Sequence, residues 1–422
     1  MENKKETLLI LTILITICII IFNRDKLYEA KYTEPKDTLL AITINGEIST
    51  TFPTTAAYET SVECTTGTGK VEWNGTKWVL TTSGITKGST KCNATFNQTL
   101  RHSILANNEV KTPITTPGAA ISTASEALLA SAVDDYGTSY YFRGAVTNNY
   151  VQFANKCWRI VRIGGDGSVK LILHNDNINK VANPCDAANN GATAAFARYS
   201  GSTYNTAFNS SYNDNAYGGF MYGATGASDY ASTHANTNKS TILTNLETWY
   251  TNNLTSYESK LADTIWCNDK STVSGGLGYA KNKTNYAAYN RLASTKQPTL
   301  KCPNDNNGGK LSKFTVDDTT NGNGNLTYKI GLLTADEIAF AGSIAYTSNR
   351  STYLQENTGT TWWWSLSPYY FNGDEAVVWF VDSGGLNSSF VGYDCGLRPA
   401  ISLVSSTSVT GNGTSDNPYV VK

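Results

Sequence analysis

Residues able to do acid–base or metal chemistry are few and scattered. The chain has three histidines, His102, His174 and His234, and none falls in an HExxH or Cys/His spacing that sets two ligands on one face. NDNNGG at 304–309 and DDTTNGNGN at 317–325 have calcium-like composition. Neither keeps the EF-hand register or supplies a closing glutamate, and Asn, Asp and Gly make tight turns with the same residues. Turn chemistry is the simpler reading, so no metal and no cofactor is assigned. No carboxylate pair stands out for hydrolysis. What the sequence concentrates is recognition chemistry. SPYYFNGDEAVVWFVDSGGLNSSFVGYDCGLRPAISL, residues 367–403, mixes Tyr, Phe, Trp, Asn, Asp, Ser and Gly with almost no Lys, Glu or Ala. Aromatic rings give large contact area for few rotors, and Asn and Ser adapt their hydrogen bonds, which is the composition of antibody paratopes. The candidate ligand-binding residues are Trp363, Tyr369, Tyr370, Phe371, Asn372, Asp374, Trp379, Asp382, Asn387, Ser388, Phe390, Tyr393 and Asp394. The plainer reading of each is ordinary loop or core packing.

These side chains need a scaffold. GLRPAISL, at the end of the segment, reads as a buried strand, and AVVWFV at 376–381 as another. Side chains alternate along a strand, so Trp363 must face opposite to Trp362 and Trp364. Either two of the three are core and one is partly exposed, or one of them floors a ligand site. Arg398, inside the apolar closing strand, needs carboxylate or carbonyl partners and is read as structural.

The 422 residues carry only 16% charged side chains and a formal net charge of −1, with no basic stripe. Nucleic acid is excluded as a partner, because phosphate neutralisation needs clustered Lys and Arg. Lys4 and Lys5 precede an apolar run at residues 7–22, and no small-x-small cleavage site follows. The expectation is an uncleaved transmembrane signal anchor over residues 1–25, with a cleaved signal peptide as the alternative, the positive end in the cytoplasm and the remaining domains extracellular. Of eight cysteines, Cys64, Cys92, Cys157, Cys185, Cys267, Cys302 and Cys395 follow the apolar run. Exported cysteines pair, and seven is odd, so one is left over.

Residues 26–37 read as a stalk. Residues 38–110 read as a small all-β domain: TLLAITINGE is a strand ending at Asn45-Gly46, and KVEWNGTKWVL is a hairpin around Asn74-Gly75. Cys64 and Cys92 bracket that hairpin, and a bridge between them would offset a thin core. Residues 111–135 read as a linker whose second half is a short helix. From Tyr136 to His174 four strand-like runs follow. STILTNLETWYTNNL has helical spacing, and TADEIAFAG opens on a Thr334/Glu337 capping-box spacing and stops at Gly342. Strands at both ends with helices between them make the fold class α+β.

Several phrases carry a resemblance: FRGAVTNNYVQFANKCWRIVRI, NDNAYGGFMYG, STHANTNKSTILTNLETWY, IWCNDKS, GLLTADEIAFAG, WWWSLSPYYF and GLRPAISL followed by GNGTSDNPYVV. In this order they resemble a family of uncharacterised exported proteins of Gram-positive-type bacteria, over residues 136–422. The carboxy-terminal half is similar to the C-type-lectin-like fold of formylglycine-generating enzymes, in which Gly396-Leu397-Arg398 would occupy the core strand near the chain end. It also resembles the variable proteins of diversity-generating retroelements. The resemblance implies that the first and last strands pair in the core and that the segment near 363–394 is displayed as a binding surface. It pairs Cys157 with Cys185 and Cys267 with Cys302. Formylglycine-type oxidation uses two cysteines, and Cys395 has no second cysteine near it in sequence, so the expectation is not an enzyme. It is a membrane-anchored, adhesin- or receptor-type surface protein that binds a protein or glycan. The alternatives are a structural surface protein and a cell-wall-processing enzyme. Cys395 is expected to be an unpaired, partly accessible thiol.

Overall fold

The computed structural model describes residues 38–86, 88–273, 275–304 and 308–422. The expected anchor and stalk lie outside the described residues, and among those described no helix is long and apolar enough to cross a membrane. The chain divides into two compact units, Met1–Ala106 and Asn107–Lys422.

In the first unit a four-stranded sheet runs in the order Glu47–Ser49, Thr38–Ile44, Thr90–Gln98, Tyr58–Cys64. Asn45 and Gly46 both take positive φ, which is what a two-residue hairpin turn requires. The second hairpin, Thr68–Trp73 with Trp78–Ser83, turns over four residues rather than two. Asn74 explains this, because its side-chain oxygen accepts from the backbone of Thr76 and Lys77. Ile42, Phe52, Val71, Trp78, Leu80, Ala94 and Phe96 form the core. Cys64 and Cys92 sit directly opposite each other in adjacent strands and are bridged.

The second unit is mixed and sheet-rich. Its eight-stranded sheet contains Gly137–Gly144, Tyr150–Phe153, Lys156–Ile163 and Val169–Asn175, the four runs expected from the sequence. Ala154 and Asn155, both at positive φ, make the hairpin turn between the middle two. The expected helix at the end of the linker is a strand instead, Ala127–Asp134, paired along its whole length with Gly137–Gly144. Its Ala and Leu residues favour helix locally, but the partner strand overrides that preference by burying Leu128, Leu129 and Ala130. Ala400–Leu403 pairs with Val169–Asn175, and the closing strand Tyr419–Val421 lies parallel to Tyr150–Phe153.

Helix Thr241–Asn253 starts at Ser240, whose side chain accepts from Leu243 N, and buries Ile242, Leu243, Leu246, Trp249 and Tyr250. Helix Ala335–Ala341 carries the Thr334/Glu337 capping box and ends at Gly342, φ 125°. The bridges Cys157–Cys185 and Cys267–Cys302 are formed. A six-stranded sheet holds Trp363–Phe371, Ala376–Asp382 and Gly385–Phe390 side by side. That sheet positions the candidate site.

Candidate ligand-binding face

Register decides what this sheet displays. Trp379 opposes Ser388, while Phe380 opposes Asn387 and Trp364. Opposed residues share a face and successive residues alternate. Trp379, Ser388 and Phe390 therefore share one face, and Phe380, Asn387 and Asp382 share the other. The sequence-defined candidates are split between two faces rather than gathered on one.

On the first face an aromatic cluster forms around Tyr369. The pairing of Trp363–Phe371 with Ala376–Asp382 slips on both sides of Pro368, which has no N–H to give the ladder. The Tyr369 ring stands 4.7 Å from Trp379, 4.7 Å from Tyr370 and 4.9 Å from Tyr289. Its hydroxyl pairs with that of Tyr346. Burial, then the Tyr346 hydroxyl, raises the Tyr369 pKa far above the ordinary phenol range, so both groups stay neutral. Tyr346 is 53% exposed, and its ring centroid lies 6.1 Å from that of Trp379. Its backbone is left-handed, φ 62°, which is rare for a bulky residue. Two hydrogen bonds hold it there: Tyr346 N to Leu386 O at 2.7 Å, and Leu386 N to Ile344 O at 3.0 Å. The Trp379 indole N–H is buried without an acceptor among the described residues.

The other candidates are placed as follows. Trp363 is core, 1% exposed, with the Arg398 guanidinium 4.9 Å above its ring, so it cannot touch a surface ligand. Trp364 is also core, while Trp362 is 46% exposed. Phe371 is buried opposite Ala376 and Thr284. Trp379 is itself fully buried and supports the cluster from beneath. Asn372 is consumed by its turn, its oxygen accepting from Asp374 N and Glu375 N, which leaves Asp374 exposed at the tip. Phe390 is half-buried against the exposed Tyr393, and Asp394 is exposed. Sequence reasoning missed Tyr346 and Tyr289. Neither lies in the polar-aromatic segment, and no local pattern marks them.

Cys395 corrects an expectation. It is unpaired but buried, in the short strand Asp394–Gly396, opposite Thr206. Burial, with Asp394 and Asp382 adding to it, pushes the thiol pKa up to about 12. Cys395 therefore belongs to the core, although Tyr393 and Asp394 beside it are exposed.

A separate cleft collects charge. Arg162 bonds Asp134 at 2.6 Å and Glu337 at 2.9 Å, and Lys170 bonds Glu337 at 2.7 Å. Arg291 bridges Asp269 at 2.7 Å and Asp336 at 2.9 Å, and Lys313 reaches Asp135 at 3.0 Å. Two pockets share this charged lining, one of about 540 Å³ that includes Lys313 and one of about 20 Å³ that includes Glu337. Burial pushes the Glu337 carboxyl up, yet Lys170 and Arg162 outweigh it and hold the pKa at about 2. General acid catalysis near neutral pH needs a carboxyl that keeps its proton there, and Glu337 does not.

Among the described residues no group of three His, Cys, Asp or Glu is placed to hold a metal ion. In the run at 317–325 the Asp318 carboxylate accepts from Thr320 N and Asn321 N, a turn. The run at 304–309 includes positions outside the described residues.

Residues 203–405 match the family model described as a domain of unknown function, DUF6273. The match takes in the whole Trp363–Phe390 face, Tyr289, Tyr346 and the strands Asp394–Gly396 and Ala400–Leu403. No curated protein and no solved structure matches the chain.

Proposed function

We propose that this chain is a ligand-binding surface protein, adhesin- or receptor-like, whose binding face is the Tyr346, Tyr369, Tyr370 and Tyr289 cluster with Ser388 and Phe390 beside it. One observation carries the reading. Tyr346 is held half-exposed in a left-handed backbone, over Trp379 and on the Tyr369 hydroxyl. Strain of this kind costs of order 1–3 kcal/mol and concentrates at ligand-contacting positions. An exposed ring backed by a packed aromatic floor, with hydroxyls around it, suits the stacking and adaptable hydrogen bonding of a recognition surface.

The finer parts of the proposal rest on the sequence resemblance. They are a C-type-lectin-like second unit, an amino-terminal membrane anchor that displays both units outside the cell, and a surface of the kind that retroelements diversify. The ligand is a protein or glycan on another cell, on a host surface or on the cell's own wall. The test is binding of the full chain to a glycan array and to a panel of cell surfaces, compared with Tyr346→Gly and Tyr370→Ala variants. A ligand whose capture drops at least tenfold in both variants supports the face. Ligands captured equally well by both variants would place the site elsewhere. Capture of nothing on either panel would favour the structural-protein alternative.

A further inference from the structure

Lys270 is fully buried, and among the described residues no carboxylate pairs with it. Its amine has two partners, the Met221 carbonyl at 2.9 Å and the side-chain oxygen of Asn236, and it stands 5.0 Å over the Phe314 ring. Burial alone holds its pKa well below the ordinary lysine value. Burial without a carboxylate favours the neutral amine, the nucleophilic form. Asn236 is buried too, at φ 58°, and its amide orientation is set on both sides. The oxygen faces Lys270, while Nδ2 donates to Leu311 O at 3.0 Å and to the Asn325 side-chain oxygen at 3.4 Å.

The histidine nearest Asn236 in the chain adds no charge to these surroundings. His234, two residues before Asn236, is fully buried, and its ring centroid is 4.4 Å from that of Tyr230. The Tyr230 hydroxyl donates to the Lys270 carbonyl at 2.6 Å. His234 Nε2 lies 2.7 Å from Gly278 O, which can only accept, so Nε2 carries the proton and Nδ1 is a bare lone pair. Nδ1 has no partner among the described residues. Burial pushes the imidazole pKa down to about 3, so the ring is neutral.

We propose that Lys270 and Asn236 join in an intramolecular isopeptide bond. The Lys270 Nζ lone pair attacks Asn236 Cγ, forming the Nζ–Cγ bond. One Nζ proton passes to the departing Nδ2, the Cγ–Nδ2 bond breaks, and ammonia leaves. No oxidant or reductant is involved. Amine and carbonyl are held in contact by the fold, which converts a reaction negligible between free side chains into an effectively unimolecular one. The product staples the segment at Asn236 to the segment at Lys270, which follows Cys267 of the Cys267–Cys302 bridge. The two phrases STHANTNKS and IWCNDKS, whose Asn236 and Lys270 are 34 positions apart, meet in this one bond.

Intact mass spectrometry of the full-length protein, fully reduced and denatured, decides the matter. The expected mass is lower than that of the sequence by one ammonia, with a branched peptide joining the segments that contain Asn236 and Lys270. Asn236→Asp should lose one water instead, and Lys270→Arg should lose nothing. A wild-type chain at its full sequence mass, with Lys270 labelled by an amine reagent once unfolded, would overturn the proposal without reliance on any variant.

Discussion

Arg162 and Glu337 stand 175 positions apart in the chain and meet as a buried ion pair, Nε to Oε1 at 2.9 Å. Glu337 also caps its own helix and holds Lys170, so one carboxylate ties helix Ala335–Ala341 to two strands of the large sheet. Glu337→Gln leaves two buried cations short of a partner and should destabilise the second unit by roughly 3–5 kcal/mol. Urea unfolding measures this, and a loss below 1 kcal/mol would mean that the pair is incidental.

The same carboxylate fixes a pH window. Its pKa falls from about 4.5 unfolded to about 2 folded. A depressed carboxyl stabilises the fold above its unfolded pKa and loses that contribution as pH drops through the folded value. On the order of 3 kcal/mol should therefore disappear between about pH 4.5 and pH 2. In Glu337→Gln the acid-side slope of stability against pH should be shallower over that window.

Cys395 should resist maleimide in the folded protein and react once the chain is unfolded, since the thiol is 1% exposed and its pKa is about 12. Mapping the labelled peptide reads this directly. Labelling of native protein within minutes at neutral pH would contradict the buried position.

Tyr346→Gly separates binding from stability. Glycine adopts positive φ without strain, so stability should hold or rise by up to about 1 kcal/mol while ligand capture falls. Trp379→Ala, beneath it, should cost roughly 3–5 kcal/mol through the cavity it leaves. Matched urea curves for the two variants distinguish the roles.

Arg398 donates to Leu173 O at 2.9 Å and Leu354 O at 2.6 Å while lying over Trp363. Lysine cannot reproduce that fork or the stack, so Arg398→Lys should lose about 2–3 kcal/mol. A thermal midpoint equal to wild type would refute the structural role given to this residue.

Local physics is legible in the sequence where a feature is local. The Asn45-Gly46 turn, the Ser240 and Thr334 helix starts and the four strands from Gly137 to Asn175 depend on backbone preferences and short-range periodicity, and the fold keeps them. Where a partner distant in the chain decides, the sequence is silent. Ala127–Asp134 became a strand because Gly137–Gly144 buries it. The polar-aromatic segment divided between two faces because a slip at Pro368 and the register against Gly385–Phe390 set which rings point together. Tyr346 joined that face through a hydrogen bond to Leu386, which no pattern around Tyr346 encodes. Lys270 lost its water and met Asn236 only when Phe314 and Met221 closed around it. Side-chain type and spacing determined most elements of this protein, Ala127–Asp134 apart; burial and register, which are properties of pairs of elements, decided that strand and which groups can act.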